Sequence, residues 1–203
     1  MLIISVFFTT LVSSVKLVNE DRINRNEQAK FQRTIFKVLG IALKASLTDG
    51  EINRIFEKRI EKIVYNKRDF YIGYEEDGKT IRGYAFPVGG PGFWGPIQAM
   101  VAVNSDASEI IGISFYDQSE TPGLGARITE DWFAEQFSGL PIHPMEGHKR
   151  IFTLSPERPN KKYNELDAIT GASRTSDAVE SFLNSELDLF LREYWKSIKK
   201  GKS

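Results

Sequence analysis

Between Asp167 and Glu180 the chain reads DAITGASRTSDAVE, with the hydroxyls of Thr170, Ser173, Thr175 and Ser176 crowded around Gly171 and Ala172. Hydroxyls at this density can cap a helix, hold an anion or offer a nucleophilic oxygen. Ser173 falls where the N-cap of the following helical pattern belongs. The orphan amides and dipole of a helix start suit a phosphate there. Capping alone accounts for a single Ser or Thr, at about 1 kcal/mol. It requires neither Asp167 nor the small Gly171-Ala172 pair, which lets another group come close to the backbone.

Two further stretches carry related chemistry. In Ser119-Glu120-Thr121-Pro122-Gly123-Leu124-Gly125, Pro122 and Gly123 set a turn and Leu124 offers an apolar shelf. Glu120 and Thr121 supply hydrogen bonds for the edge of a planar ring. In Gly92-Phe93-Trp94-Gly95 an indole stands in a tight loop, where Trp94 serves either as a stacking platform or as a core plug. Other chemistries are poorly served. The chain has no cysteine, which removes disulfides, iron–sulfur ligation and thiolate zinc sites. Its two histidines, His143 and His148, read as loop residues and are too few for a catalytic zinc centre. No Gly-x-Ser-x-Gly elbow is present for a serine hydrolase. With 27 basic and 27 acidic residues in balance, nucleic acid is not expected as a partner.

These motifs need elements to position them, and the 203 residues supply enough apolar content for one core. Residues 2–15, LIISVFFTTLVSSV, are apolar and precede Lys16. They are fewer than the ~20 of a spanning helix, a shortfall that snorkelling of Lys16 reduces. Residues 1–18 are read as a membrane anchor; a secretory leader would carry a basic start. Lys16, Arg22, Arg25, Lys30 and Arg33 follow the apolar run, and by charge alone they place the remainder in the cytoplasm. Residues 19–66 are read as a helical stalk. Its first helix carries Phe31, Ile35, Val38, Leu39 and Leu43. A second opens on the capping box Thr48–Glu51 and has Ile52, Ile55, Phe56, Ile60 and Ile63 on one face.

From residue 67 the texture becomes strand-like. One hairpin turns at Asp77-Gly78, and a second joins PIQAMVAV to EIIGISFYD. VGGPGFWGP, residues 88–96, reads as the loop between them, 129–138 as a short helix and 150–154 as a strand. A terminal helix is expected from about Thr175 to Lys199, with Val179, Phe182, Leu183, Leu187, Phe190, Tyr194 and Ile198 inward. The expected fold is α+β, a mainly antiparallel sheet flanked by helices.

The pattern Asp167-x-x-Thr170-Gly171-Ala172-Ser173 resembles the flavinylation motif of the FMN-binding domain family. Glu120-Thr121-Pro122-Gly123-Leu124-Gly125 is similar to a loop of the membrane-bound members of that family. Those members are the G subunit of the Rnf ion-translocating complex and the C subunit of the sodium-translocating NADH:quinone reductase. The Trp94 loop resembles the family's aromatic loop near the flavin. The resemblance implies FMN as cofactor, joined by a phosphoester to Ser173, where the family usually has Thr, with Thr175 as the fallback acceptor. It implies a cofactor-binding set of Ser173, Thr170, Gly171, Ala172, Thr175, Glu120, Thr121, Leu124, Gly125 and Trp94, and no metal. It further implies an electron-transfer subunit rather than a stand-alone catalyst, in a bacterial or archaeal cytoplasmic membrane with its soluble domain, residues 67–203, outside the cytoplasm. Its partners would be other membrane subunits of the complex and an FAD-consuming flavin transferase during maturation. The chain length fits the Rnf protein. A cofactor-free assembly protein and an FMN-binding component of another reductase are the alternatives.

Overall fold

The computed structural model describes residues 2–144, 149–156 and 164–201; His148 lies outside them. Strands β1 (Ile60–Tyr65), β2 (Arg68–Tyr74), β3 (Ile81–Pro91), β4 (Pro96–Asn104) and β5 (Ile110–Asp117) form one sheet in sequence order. Every neighbouring pair in it is antiparallel. The two hairpins form where expected. At the first, Gly78 takes φ +65°, and the Asp77 carboxylate accepts from the amides of Lys79 and Thr80 at 2.8 and 2.9 Å. Asp therefore closes the turn and Gly supplies its left-handed backbone.

Alternation along the strands feeds two cores. Phe70, Ile72, Phe86, Val88, Ile97, Ala99, Val101 and Val103 point to one face, while Tyr71, Ala85, Met100 and Ala102 point to the other. The period of two makes this unavoidable. Both faces of β4 are covered, so its apolar run is unbroken. The second face is covered by α1 (Leu2–Val38) and α2 (Asp49–Arg59) through Ile35, Phe36, Val38, Leu39 and Ile52.

The first face is covered chiefly by α4 (Ser173–Leu189) through Val179, Phe182, Leu183 and Leu187. α4 lies close on β3 at Gly90, where a Cβ would stand 2.5 Å from that of Phe182. Only glycine permits that approach, and it sets the start of α4 beside the loop after β3. A turn of 3-10 helix (Gly125–Thr129) and α3 (Asp131–Glu135) follow β5. A separate parallel pair joins β6 (Thr153–Ser155) to β7 (Glu165–Asp167). Beyond α4 the chain makes a π-helical turn at Phe190–Trp195, in which Phe190 stacks on Phe86 at 4.4 Å, and ends in α5 (Lys196–Gly201).

The structure differs from five expectations in detail. Ile60 and Ile63 belong to β1 rather than to the second helix: α2 ends at Arg59, and the strand continues from it without a break. The expected anchor and first stalk helix run as one helix, α1, and among the described residues no helix is long and apolar enough to cross a membrane. β3 extends through Pro91, so the expected loop 88–96 shrinks to residues 92–95, held by pairing of Pro91 with Pro96. The expected helix 129–138 is confined to Asp131–Glu135, preceded by the 3-10 turn. Finally, α4 begins at Ser173 and its N-cap is Ala172. The Ala172 methyl is packed into the core, so the position that usually offers a capping oxygen serves packing instead.

Candidate functional site

Three loops meet at one end of the sheet. The first, residues 92–95, is closed by a bond from the Gly92 amide to the Gly95 carbonyl at 2.8 Å. The second, after β5, contains a turn in which the Leu124 amide donates to the Thr121 carbonyl at 3.1 Å, with Gly123 at φ +75°. Pro122 followed by a left-handed Gly123 is the pattern of a type II turn. The third leads into α4 and repeats this arrangement: the Ala172 amide donates to the Ile169 carbonyl at 3.0 Å, and Gly171 takes φ +79°. The two turns abut, since a Cβ on Gly171 would lie 3.3 Å from a methyl of Leu124.

Between the loops lies a cleft of about 370 Å³ lined by Phe93, Trp94, Glu120, Thr121, Leu124, Gly125 and residues 171–175. Its walls are unusual for a surface: Trp94 is 66% exposed, and Phe93 and Leu124 are exposed beside it. The Trp94 indole N–H donates to Thr121 Oγ1 at 3.0 Å, which sets the plane of the ring. The Arg174 guanidinium stands 5.1 Å from the Phe93 ring centroid and brings a cation to the cleft. A larger depression of about 650 Å³ lies beside α2 and the β2–β3 turn, lined by Leu43, Leu47, Arg54, Ile55, Lys58 and Glu76 among others. It holds none of the motif residues, so cavity size alone does not locate the site.

Below the cleft, Glu120 is only 4% exposed. One of its oxygens accepts from the amides of Phe93 and Trp94 at 2.8 and 3.0 Å, and the other from Thr175 Oγ1 at 2.5 Å. Both oxygens thus already accept bonds from protein, which leaves Glu120 little exposed surface to offer a ring edge. The hydroxyls of the third loop divide sharply. Thr175 and Ser176 are buried, Thr175 bonded to Glu120 and Ser176 donating to the Ala172 carbonyl at 3.2 Å. Ser173 is exposed and lines the cleft. Thr170 is exposed but is not part of the lining. The first turn of α4 receives no side-chain cap, so its amides are open to an anion.

Nine of the ten expected site residues therefore converge; Thr170 does not. Sequence reasoning passed over Phe93 and Arg174, whose only signal is adjacency to Trp94 and Ser173. Arg127, next to the second loop, is turned away from the cleft: it pairs with Glu130 at 3.1 Å and lies over Trp132. Asp167 sits on β7 with its side chain exposed, and its backbone is tied to the Gln136 amide group.

The cleft fits a flavin mononucleotide by type: a planar aromatic and an apolar shelf for the ring, an uncapped helix start and a cation for the phosphate. Residues 92–188 match the FMN-binding domain family. Among characterised proteins, the chain is 32% identical over 108 residues to the C subunit of the Na(+)-translocating NADH-quinone reductase of Yersinia pestis, covering 53% of this chain and 41% of that one. It is 34% identical over 105 residues to the protein of the same name from Vibrio vulnificus, covering 52% and 41%. The matched stretches thus span about two fifths of those relatives' length. A solved structure, the C subunit of this reductase from Parabacteroides distasonis, superposes with a TM-score of 0.68 at 22% identity, over 85% of this chain and 95% of that one. Shewanella oneidensis NqrC superposes at 0.67 and 18% identity, over 80% and 91%, so the fold is shared. The stretch that matches the FMN-binding domain family, residues 92–188, contains all three loops of the cleft.

Proposed function

We propose that this chain is the FMN-carrying electron-transfer subunit of a membrane-bound, ion-translocating oxidoreductase, with FMN joined by a phosphoester to Ser173. The observation that carries the reading is the division of hydroxyls around the cleft. Ser173 faces it freely, whereas Thr175, the fallback acceptor, spends its proton on Glu120. Attachment forms a bond from Ser173 Oγ to phosphorus as the diphosphate link of FAD breaks. AMP departs and the hydroxyl proton passes to solvent, with a flavin transferase as catalyst. FMN would supply the electron chemistry; the chain supplies tether, orientation and electrostatics. Trp94 and Leu124 would flank the ring, the first amides of α4 and Arg174 would face the phosphate, and the open cleft would leave an edge for exchange with neighbours.

Similarity to the Yersinia and Vibrio proteins favours the sodium-translocating quinone-reductase type over the Rnf type expected from chain length. In this reading residues 1–18 meet the membrane, 19–66 connect and 67–203 carry the cofactor on the extracytoplasmic side. Ile4, Val6, Phe7 and Phe8 are all more than half exposed at the start of α1, a surface suited to lipid or to a membrane-embedded partner. The test is the intact mass of denatured protein produced with its flavin transferase, beside Ser173→Ala. A gain of one FMN less one water, absent from the variant, is expected. No gain in the wild type would remove the cofactor reading and favour an assembly role.

A further inference from the structure

We infer that Glu120 is a positioning residue that locks the aromatic wall of the cleft to the first turn of the acceptor helix. This rests on the cofactor reading only for its consequence, since the lock itself is a property of the protein. The carboxylate joins three separate pieces of chain: residues 93 and 94 after β3, its own loop after β5, and Thr175 on α4. Around it the backbone is cut away to make room. A Cβ on Gly92 would come within 2.6 Å of one Glu120 oxygen, and a Cβ on Gly125 within 2.9 Å of the other. Two glycines thus belong to different motifs for the same reason, to admit one buried side chain.

No ion pair to Glu120 is present among the described residues, so its burial is supported by three donors and by no cation. Such a group is costly to bury and more costly to leave without its donors. Displacing either the aromatic loop or the helix start therefore strands polar atoms on the other, which couples the two. The indole that would stack on the flavin and the helix turn whose oxygen would carry it are held in one register by a carboxylate bonded to both.

The experiment uses the full chain and measures amide exchange at Phe93 and Trp94 without flavin, then flavin content and flavin fluorescence after maturation. Glu120→Ala is expected to speed exchange at both amides by about tenfold or more, from the loss of their acceptor. It is expected to lower loading and to brighten the flavin that is loaded, because Trp94 no longer quenches it. Glu120→Gln keeps a carbonyl oxygen for both amides and should restore protection and quenching. Thr175→Val touches neither amide, yet it should speed their exchange several-fold, since it removes the donor that fixes the carboxylate. Unchanged exchange in Thr175→Val, or in Glu120→Ala, overturns the lock. Failure of Glu120→Gln to restore quenching overturns it as well. If the wild type takes up no flavin while exchange behaves as stated, the lock stands and the cofactor reading falls.

Discussion

The chain contains two helix starts of opposite design. At α2, Thr48 accepts from the Glu51 amide at 3.4 Å, and the Glu51 carboxylate accepts from the Thr48 amide at 2.8 Å. The box is complete, acidic Asp49 and Glu51 answer the dipole, and nothing is left for a ligand. At α4 the cap is an alanine turned into the core, the first turn holds no acid, and Arg174 and Ser173 face a cleft. The Glu120 carboxylate reaches Thr175 from outside the helix rather than capping it. The first start is closed by its own side chains, while the second keeps amides that no side chain caps.

The sharpest break of this comparison is a pair of glycine substitutions. Gly125→Ala forces a methyl against Glu120 and the Thr175 hydroxyl, and overpacking of this kind costs about 1–3 kcal/mol. Gly50→Ala, in the first turn of α2, meets nothing within 4 Å and removes backbone freedom. It should stabilise by roughly 0.5–1 kcal/mol. Chemical denaturation of both variants checks this, together with flavin loading, which should fall in Gly125→Ala and hold in Gly50→Ala. Equal effects on stability would mean that the two starts are packed alike.

What the sequence revealed of this contrast follows the range of the forces involved. The box at Thr48–Glu51 and the turn at Asp77-Gly78 were legible because their bonds close within four residues. Hairpins β2–β3 and β4–β5 were legible from alternation and turn residues. β1 was hidden because Ile60 and Ile63 continue the helical spacing of Ile52, Ile55 and Phe56, and only pairing with β2 decides otherwise. Ala172 as cap and Glu120 as a buried lock were illegible for a related reason: both depend on what packs against them from distant parts of the chain. Motif resemblance named residues that line one cleft, but neither it nor the residue types showed that Glu120 would bond to Thr175.

A smaller effect sharpens the comparison from the closed side. Thr48→Ala removes the cap oxygen and leaves Glu51 to hold only the backbone, which should cost about 1 kcal/mol. Flavin loading should not change, because α2 covers the opposite face of the sheet from α4 and lines no part of the cleft. A loss of loading comparable to that of Gly125→Ala would show that the two helix starts communicate across the sheet.

The smallest effect is titration of that box. Hydrogen bonds from Thr48, side chain first and then backbone, hold the Glu51 carboxyl below its ordinary value of 4.5. A depressed folded value means that the unfolded chain binds the proton more readily. The stabilisation is therefore complete above the ordinary value and is lost as pH falls through the lower folded one. Glu51→Gln keeps a box, since glutamine also reaches back to the cap amide, but it has no proton to gain. Denaturation midpoints measured above and below the ordinary value should converge slightly in Glu51→Gln relative to the wild type. Asp77, lowered chiefly by its bond from Thr80, titrates in both proteins and cancels in the difference. An acid loss identical in the two proteins would mean that the α2 box contributes no charge-dependent stability, leaving its closure to hydrogen bonding alone.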